Sequence, residues 1–153
     1  MTLRDRLERA LVRGHENDLD HLLYNERDHI DDLKILRDAA VLIAVTDRPD
    51  PGVIFVQRPQ HMRNHPGQVA FPGGKIDPGD RDPIDAALRE AHEEVALDRS
   101  HVDIVGMTDS FQSGSGYNIQ PVLGVIPPDL PFVADPTEVE SWFEAPLDFL
   151  LDP

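Results

Sequence analysis

An apolar run from Ala39 to Thr46, AAVLIAVT, constrains the fold of this chain more than any other feature of the sequence. The run is rich in β-branched residues and lacks polar alternation, which is typical of a buried strand. A turn with the sequence DRPDPG follows, and the next run, GVIFVQR, is predicted to be the hairpin partner of the first. The core is therefore predicted to include this hairpin.

The remaining sequence predicts a mixture of helices and strands. Leucines at positions 3, 7 and 11 predict an amphipathic helix over residues 2–14, and a second helix is predicted from about Pro83 to Ala96. Strands are predicted around HVDIVGMTDSF and YNIQPVLGVI, and EVESWFEAPLDFLL is predicted to be a strand that turns into a helix start. We therefore expect an α+β domain at residues 39–153, preceded by a helical leader at residues 1–38.

Charge and composition exclude several classes of partner. The chain has 153 residues and a formal net charge of -15, which argues against nucleic acid and against an anionic membrane surface. It has no cysteine, which leaves the compartment open, and no apolar run long enough to cross a bilayer, so a cytoplasmic location is the default expectation. An anionic ligand would need a metal ion or local arginines. The oligomeric state stays open, with a homodimer among the alternatives.

The helix predicted from Pro83 has a well-specified start, because Asp82 precedes it as an N-cap and proline suits the first helical position. At about 100° per residue, four apolar residues share one face: Ile84, Leu88, Ala91 and Val95. Three acidic residues share an arc on the opposite side: Glu90, Glu93 and Glu94. We therefore expect one core face and one acidic face.

The acidic face has two interpretations. An acidic face is ordinarily solvated, but Glu90 and Glu94 stand at i,i+4 with no lysine between them, which destabilises a helix. Arg89 has the spacing to hold Glu93 in one orientation. Clustered carboxylates suit a hard divalent cation, since Mg²⁺ prefers oxygen ligands together with water and substrate phosphates. The pattern favours a metal site.

The acidic helix and the glycines before it also follow a recognisable spacing. Gly74 is followed after five residues by Asp80, and after eight more by REAHEEVAL at residues 89–97. This arrangement resembles the Nudix box, in which glycine, five residues, glutamate and seven residues precede Arg-Glu-apolar-any-Glu-Glu-any-Gly-apolar. Three departures are the aspartate at position 80, the longer spacer and Ala96 in place of the last glycine.

The longer spacer is similar to that of the coenzyme A pyrophosphatase branch of the family. That branch carries an upstream signature, RS-x3-R-x3-GQVAFPGG. In this chain the signature begins at Arg58, has its second arginine at Arg63 and ends with GQVAFPGG at residues 67–74; only its serine is lost, to Pro59. The resemblance extends from about Ala39 to Leu147.

The resemblance implies roles for the residues of the box. Glu90 and Glu94 would bind the metal, Glu93 would share the ligation or position the attacking water, and a carbonyl near Gly74 would join the metal. Arg89 would orient the glutamates. Which of the candidate catalytic glutamates acts as the base stays open.

Residues of the upstream signature are the candidates for substrate binding: Arg58, Arg63, Gln68 and Gly73. Arginine suits the bidentate recognition of phosphate, and an acidic protein needs local positive charge to bind an anionic substrate. For the two arginines, ordinary surface positions are the equally weighted alternative.

The resemblance implies a Nudix-type α/β/α sandwich with a mixed sheet. The implied activity is Mg²⁺- or Mn²⁺-dependent hydrolysis of the diphosphate in coenzyme A or its thioesters. One alternative is another nucleoside diphosphate derivative, such as ADP-ribose or NADH, and another is a non-catalytic binding module. Related proteins usually continue past the EAPL region into a further strand and a C-terminal helix, so we expect a sheet face without that cover, in a truncated chain, a minimal form or a protein completed by a partner.

Overall fold

The computed structural model describes residues 1–16, 36–60 and 67–151. The strands in these ranges are β1 Arg37–Thr46, β2 Gly52–Gln57, β3 Val69–Ala70, β4 Gly73–Lys75, β5 Asp103–Met107, β6 Phe111–Gln112, β7 Tyr117–Ile126 and β8 Ser141–Pro146. The α-helices are α1 Leu3–Glu16, α2 Pro83–Val95 and α3 Leu147–Leu151. The predicted helices and strands are therefore confirmed, with boundaries shifted by a few residues. Each helix within these ranges is too short or too polar to cross a membrane.

β1 lies at the centre of a mixed sheet with the strand order β3-β2-β1-β7-β5. It pairs in parallel with β7 along its whole length, from Arg37 opposite Tyr117 to Thr46 opposite Ile126. β2 pairs antiparallel with β1, which confirms the predicted hairpin. β4 pairs with β1 beside β2, while β8 pairs with β2 and β6 with β7. The expected α+β class with a mixed sheet is confirmed.

The sheet separates two apolar cores. Alternate residues of β1 face α2, and their side chains are fully buried: Ala40, Leu42 and Ala44. The other face holds Val45 with Val53 and Leu123, and it is covered in part by Leu3 and Leu7 of α1. The sheet therefore lies between helices. Because α1 packs on this sheet, the first helix contacts the domain; the division of the chain at residue 38 stays a prediction.

α2 has the predicted start and an unusual end. The Asp82 carboxylate accepts a hydrogen bond of 2.7 Å from the Asp85 backbone N–H, as an N-cap does. After Val95 the helix closes at Ala96, which adopts the left-handed conformation with φ 60° and ψ 32°. A residue with a Cβ is destabilised there by roughly 1–2 kcal/mol, so glycine usually holds this position.

We expect Ala96→Gly to stabilise the protein by about 0.5–1 kcal/mol, because glycine relieves the left-handed strain while adding entropy to the unfolded chain. The free energy of unfolding in urea measures the effect. Ala10→Gly is the matched control: Ala10 is an exposed residue of α1, and its replacement should destabilise by up to about 1 kcal/mol. Destabilisation of both variants would contradict the prediction.

Candidate active site

The two glycines of β4 let the strand and α2 approach each other closely. A Cβ added to Gly73 would collide with the Ala40 carbonyl oxygen, and one added to Gly74 would lie 2.7 Å from the Glu90 carboxyl carbon. α2 presents Ala86 and Ala87, both fully buried, whose small side chains allow a close approach on this side of the helix. Small residues on both elements therefore bring β4 to the glutamates of α2.

Glu94 is a buried acidic residue of this region. Its residue is 7% exposed, and its Oε1 accepts a hydrogen bond of 2.7 Å from the Gly73 N–H. Burial, with smaller contributions from the negative charges of Glu90 and Glu138, raises the pKa of the Glu94 carboxyl to about 8. The Gly73 N–H and the positive charge of Arg58 act in the opposite direction. The site therefore contains a carboxylate that the described residues compensate only weakly.

The burial of Glu94 corrects the expected division of α2 into a core face and an opposite acidic face. Ala91 and Val95 are buried as expected, but the buried arc continues through Ala87 to Glu94. The physical reason is the small volume of alanine and glycine at the contact, which seats α2 with part of its acidic side against the sheet. Glu93 alone of the three glutamates is classed as exposed.

Glu90 occupies the space that the missing side chain of Gly74 leaves. Its carboxylate lies against the Gly74 backbone and accepts a hydrogen bond of 3.1 Å from Arg89. Burial raises the pKa of Glu90, whereas the charge of Arg89 lowers it. Glu90 is therefore half-buried between a cation and the backbone of β4.

Arg89 connects most of the acidic groups near the start of the site. It forms a forked pair with Asp80, with distances of 2.8 Å from Nε to Oδ1 and 3.0 Å from Nη2 to Oδ2. Its Nη1 also bonds both oxygens of Glu93 at 3.2 Å, the contact expected from the i,i+4 spacing. The side chain of Asp80 is 4% exposed, and the hydrogen bonds from Arg89 lower the pKa of the Asp80 carboxyl. Arg89 therefore neutralises part of the acidic cluster.

The structure describes some of the candidate substrate-binding residues. Arg58 follows β2, and its backbone N–H donates to the Gln68 carbonyl at 2.9 Å. Its Nε is buried without a hydrogen-bond partner in the described part of the chain, and its charge acts on Glu94. The residue Gln68 is exposed, Gly73 contacts Glu94 directly, and Arg63 lies outside the described residues.

Sequence reasoning missed two acidic residues near the site. Asp80 was noted only as a departure from the box, although it is the closest partner of Arg89. Glu138 lies far along the chain, yet its charge contributes to raising the pKa of both Glu90 and Glu94. The spacing of the box pointed to Asp80, whereas no local pattern could have identified Glu138.

The donor chemistry of the site fits a hard divalent cation. Glu94 and Glu90 offer carboxylate oxygens, and the buried Glu94 accepts one hydrogen bond from the described residues. No three acidic or histidine side chains in residues 1–16, 36–60 and 67–151 form a ready-made cage. Mg²⁺ does not need one, because it binds through one or two carboxylates together with water and substrate phosphates. Glu90 and Glu94 would hold such an ion.

Comparison with known proteins gives a family match over most of the chain. Residues 36–151 match the family model of the NUDIX domain. Two similar relatives are the uncharacterized Nudix hydrolase NudL of Escherichia coli (strain K12) and the protein of the same name from Shigella boydii serotype 4. Each is 52% identical over 111 residues, which cover 72% of this chain and 58% of the relative. The chain therefore spans less than two thirds of the length of these relatives.

Solved structures share the fold at low sequence identity. The Nudix hydrolase RenU from M. smegmatis has a TM-score of 0.65 and 20% identity, over 80% of this chain and 84% of that chain. A C. elegans Ap4A hydrolase binary complex has a TM-score of 0.62 and 19% identity, over 74% and 83% respectively. The NUDIX domain of Shewanella oneidensis NrtR, complexed with ADP ribose, has a TM-score of 0.58 and 18% identity, over 84% and 85%.

We expect Gly73→Ala to destabilise the protein by roughly 1–3 kcal/mol, because the added methyl group meets the backbone of β1, which cannot move aside as a side chain could. Urea unfolding measures the change. Gly79→Ala is the control, since a Cβ at exposed Gly79 would meet no atom within 4 Å. Equal stability of the two variants would show that the β1–β4 contact is looser than described.

We expect the metal-free protein to lose stability as the pH rises from about 4.5 to about 8. In that window the folded chain keeps a proton on Glu94, whose pKa of about 8 exceeds the ordinary value of 4.5, while the unfolded chain has released it. Glu94→Gln removes this contribution, so its stability relative to wild type should rise by on the order of 2–4 kcal/mol between pH 5 and pH 8. Unfolding in urea with a chelator measures it; parallel pH profiles would contradict it.

Proposed function

This chain belongs to the Nudix family, and from that premise we propose that it hydrolyses the diphosphate of coenzyme A or an acyl-coenzyme A with Mg²⁺ or Mn²⁺ as cofactor. The products would be 3′,5′-adenosine bisphosphate and 4′-phosphopantetheine or its acylated form. The observation that carries the proposal is the 2.7 Å hydrogen bond from Gly73 to Glu94. It joins the GQVAFPGG signature to the acidic helix, so the two motifs behind the resemblance belong to one site.

The charged side chains of α2 have different roles in this proposal. Glu94 and Glu90 would hold the cation, with the backbone near Gly74 as a further oxygen donor. A bound divalent cation supplies positive charge beside the diphosphate, which stabilises the charge that develops on the phosphate oxygens. Arg89 is a positioning residue, because it holds Glu93 and Glu90 and is itself fixed by Asp80.

The reaction is a displacement at phosphorus by water. A water oxygen bonds to one phosphorus, the bond from that phosphorus to the bridging oxygen breaks, and the bridging oxygen leaves with the other phosphate. The proton that water loses passes to a carboxylate of the site, with Glu93 and Glu90 as the candidate bases. Glu93 is the more exposed of the two, with a side chain 45% accessible compared with 16% for Glu90.

Arg58 and Arg63 are proposed to bind the phosphates of the substrate. The surroundings of Arg58 support this role. Its buried Nε has no hydrogen-bond partner in the described residues, and its charge lowers the pKa of Glu94. A buried donor normally has an acceptor, and a phosphate oxygen would supply one. Gln68 and Gly73 complete the proposed contacts from the same signature.

A second candidate substrate class is another nucleoside diphosphate derivative, such as ADP-ribose. Glu90, Glu94 and Arg58 would act on the diphosphate rather than on the groups that flank it. The NrtR domain of similar fold was crystallised with ADP ribose, which makes this compound a natural competitor in an assay. A shared fold does not choose between them.

We expect wild-type protein to release 3′,5′-adenosine bisphosphate from coenzyme A in the presence of Mg²⁺ or Mn²⁺, and Glu94→Gln to lower the rate by at least about 100-fold. Loss of residues that merely support a metal ligand costs roughly 10–100-fold, so loss of the ligand's charge should cost no less. Product identification by chromatography, with ADP-ribose and NADH assayed in parallel, measures the activity and its preference.

Glu140→Gln is the control for this experiment, because it removes the same charge as Glu94→Gln. Glu140 is exposed, and its backbone N–H donates a hydrogen bond to the Gln57 carbonyl. It should keep the wild-type rate. Turnover of ADP-ribose without turnover of coenzyme A would overturn the proposed substrate. Absence of any metal-dependent hydrolysis by the folded wild-type chain would favour a binding module.

A further inference from the structure

Three phenylalanine rings form a stack on the face of the sheet that lies away from α2. The ring centroid of Phe55 in β2 lies 4.9 Å from that of Phe71 and 5.5 Å from that of Phe143 in β8. The interplanar angles are 22° and 19°, so the rings lie nearly parallel. Phe143 pairs with Phe55 across the strands, and Phe71 directly follows β3 on the other side of β2. Phe55 is therefore the central ring of the stack.

The side chain of Phe55 points away from the core that α2 covers. Ile54 and Val56, its neighbours in sequence, belong to that core. Phe55 instead packs against the cluster of Val45 and Val53 on the opposite face, following the two-residue period of a β-strand. The glutamates of α2 lie on the other side of the sheet, so any effect of Phe55 on the site must pass through a residue that it contacts.

Phe71 begins the short stretch of chain that leads from β2 to the site. β3 pairs with β2 through two residues and β4 pairs with β1 through three, and between them Phe71 and Pro72 form a crossing segment. The Pro72 carbonyl accepts a hydrogen bond of 2.8 Å from the Leu42 N–H. The next N–H, that of Gly73, donates to Glu94 at 2.7 Å. Glycine brings no side chain that could hold this N–H in place, so its position depends on the segment before it.

We propose that Phe55 is a positioning residue of the site, although it lies on the far face of the sheet. Its ring fixes the ring of Phe71, and the crossing segment then places the Gly73 N–H at the Glu94 carboxylate. This hydrogen bond needs accurate placement, because such bonds weaken steeply away from their preferred distance and direction. The positioning of Gly73 depends on these contacts alone. Its effect on catalysis rests on the proposed function, in which Glu94 would hold the cation.

The test is amide hydrogen exchange in the full metal-free chain, measured by nuclear magnetic resonance. The quantity compared is the exchange rate of the Gly73 amide divided by that of the Ala91 amide in the interior of α2. A general loss of stability raises both rates or that of Ala91 alone, so it cannot raise this ratio. We expect Phe55→Leu to raise the ratio by about 3- to 10-fold, the factor that one stacked aromatic pair contributes. Phe55→Tyr keeps the ring and should keep the wild-type ratio.

Phe143→Leu is the matched control, because it removes the ring on the other side of Phe55. Its ratio should stay within about two-fold of wild type. Phe71→Leu should raise the ratio as Phe55→Leu does, and the double variant should raise it no further than Phe71→Leu alone, because Phe55 acts through Phe71. An unchanged ratio in Phe55→Leu, additive effects in the double variant, or an equal increase in Phe143→Leu would overturn the role of Phe55.

Hydrolysis of coenzyme A with Mn²⁺ then measures the consequence for the proposed function. We expect Phe55→Leu to lower kcat by a similar factor and to leave KM within about two-fold of wild type, since Phe55 does not touch the diphosphate. A raised exchange ratio in a chain that hydrolyses no diphosphate would support the positioning of Gly73 and overturn the proposed function. Hydrolysis by wild type with an unchanged ratio in Phe55→Leu would overturn the role of Phe55 alone.

Discussion

Burial of the Glu94 carboxylate between α2 and β4 is the constraint on which the site depends. A carboxylate removed from water is strongly destabilising unless it finds a donor or a cation, and the Gly73 N–H provides one donor at 2.7 Å. That donor is within reach because the position has no side chain and because Ala86 and Ala87 let α2 lie close to the sheet. The glycines of β4 and the alanines of α2 thus both allow the close approach of these two elements, which the hydrogen bond from Gly73 to Glu94 requires.

The acidic groups of the region fall into two classes according to their compensation. Asp80, Glu93 and Glu90 bond to Arg89, which holds them with one planar guanidinium group. Glu94 and Glu138 lack a salt bridge in the described residues, and Arg58 acts on Glu94 only through its charge. Arg89 therefore holds three acidic groups in place, whereas the uncompensated carboxylates would attract a cation. A buried carboxylate without a compensating charge lowers the stability of the protein, as is common at functional sites.

The fold was largely predictable from the sequence because its signals are local. The β-branched run of β1, the N-cap at Asp82 and the leucines of α1 each depend on neighbouring residues. Arg89 and Glu93 likewise meet at a helical spacing. The burial of Glu94 was not predicted. The helical pattern was read from the larger apolar residues and did not count the buried alanines of α2 as core, and it could not show how closely β4 approaches α2. The position of Glu138 depends on the path of the chain after β7, which the spacing of the box does not describe.

The parallel pairing of β1 and β7 has a consequence for how the chain reaches its folded state. Asp38 and Asn118 meet across this pair although they are 80 residues apart in sequence. Closing so long a loop costs entropy before the contacts between the strands are gained, so folding of such topologies is slow compared with that of helical bundles. β4 and α2 both lie within the loop, and one face of α2 has no core to cover until β1 is seated in the sheet. The site is therefore expected to mature late, after the ribosome has released the residues of β7.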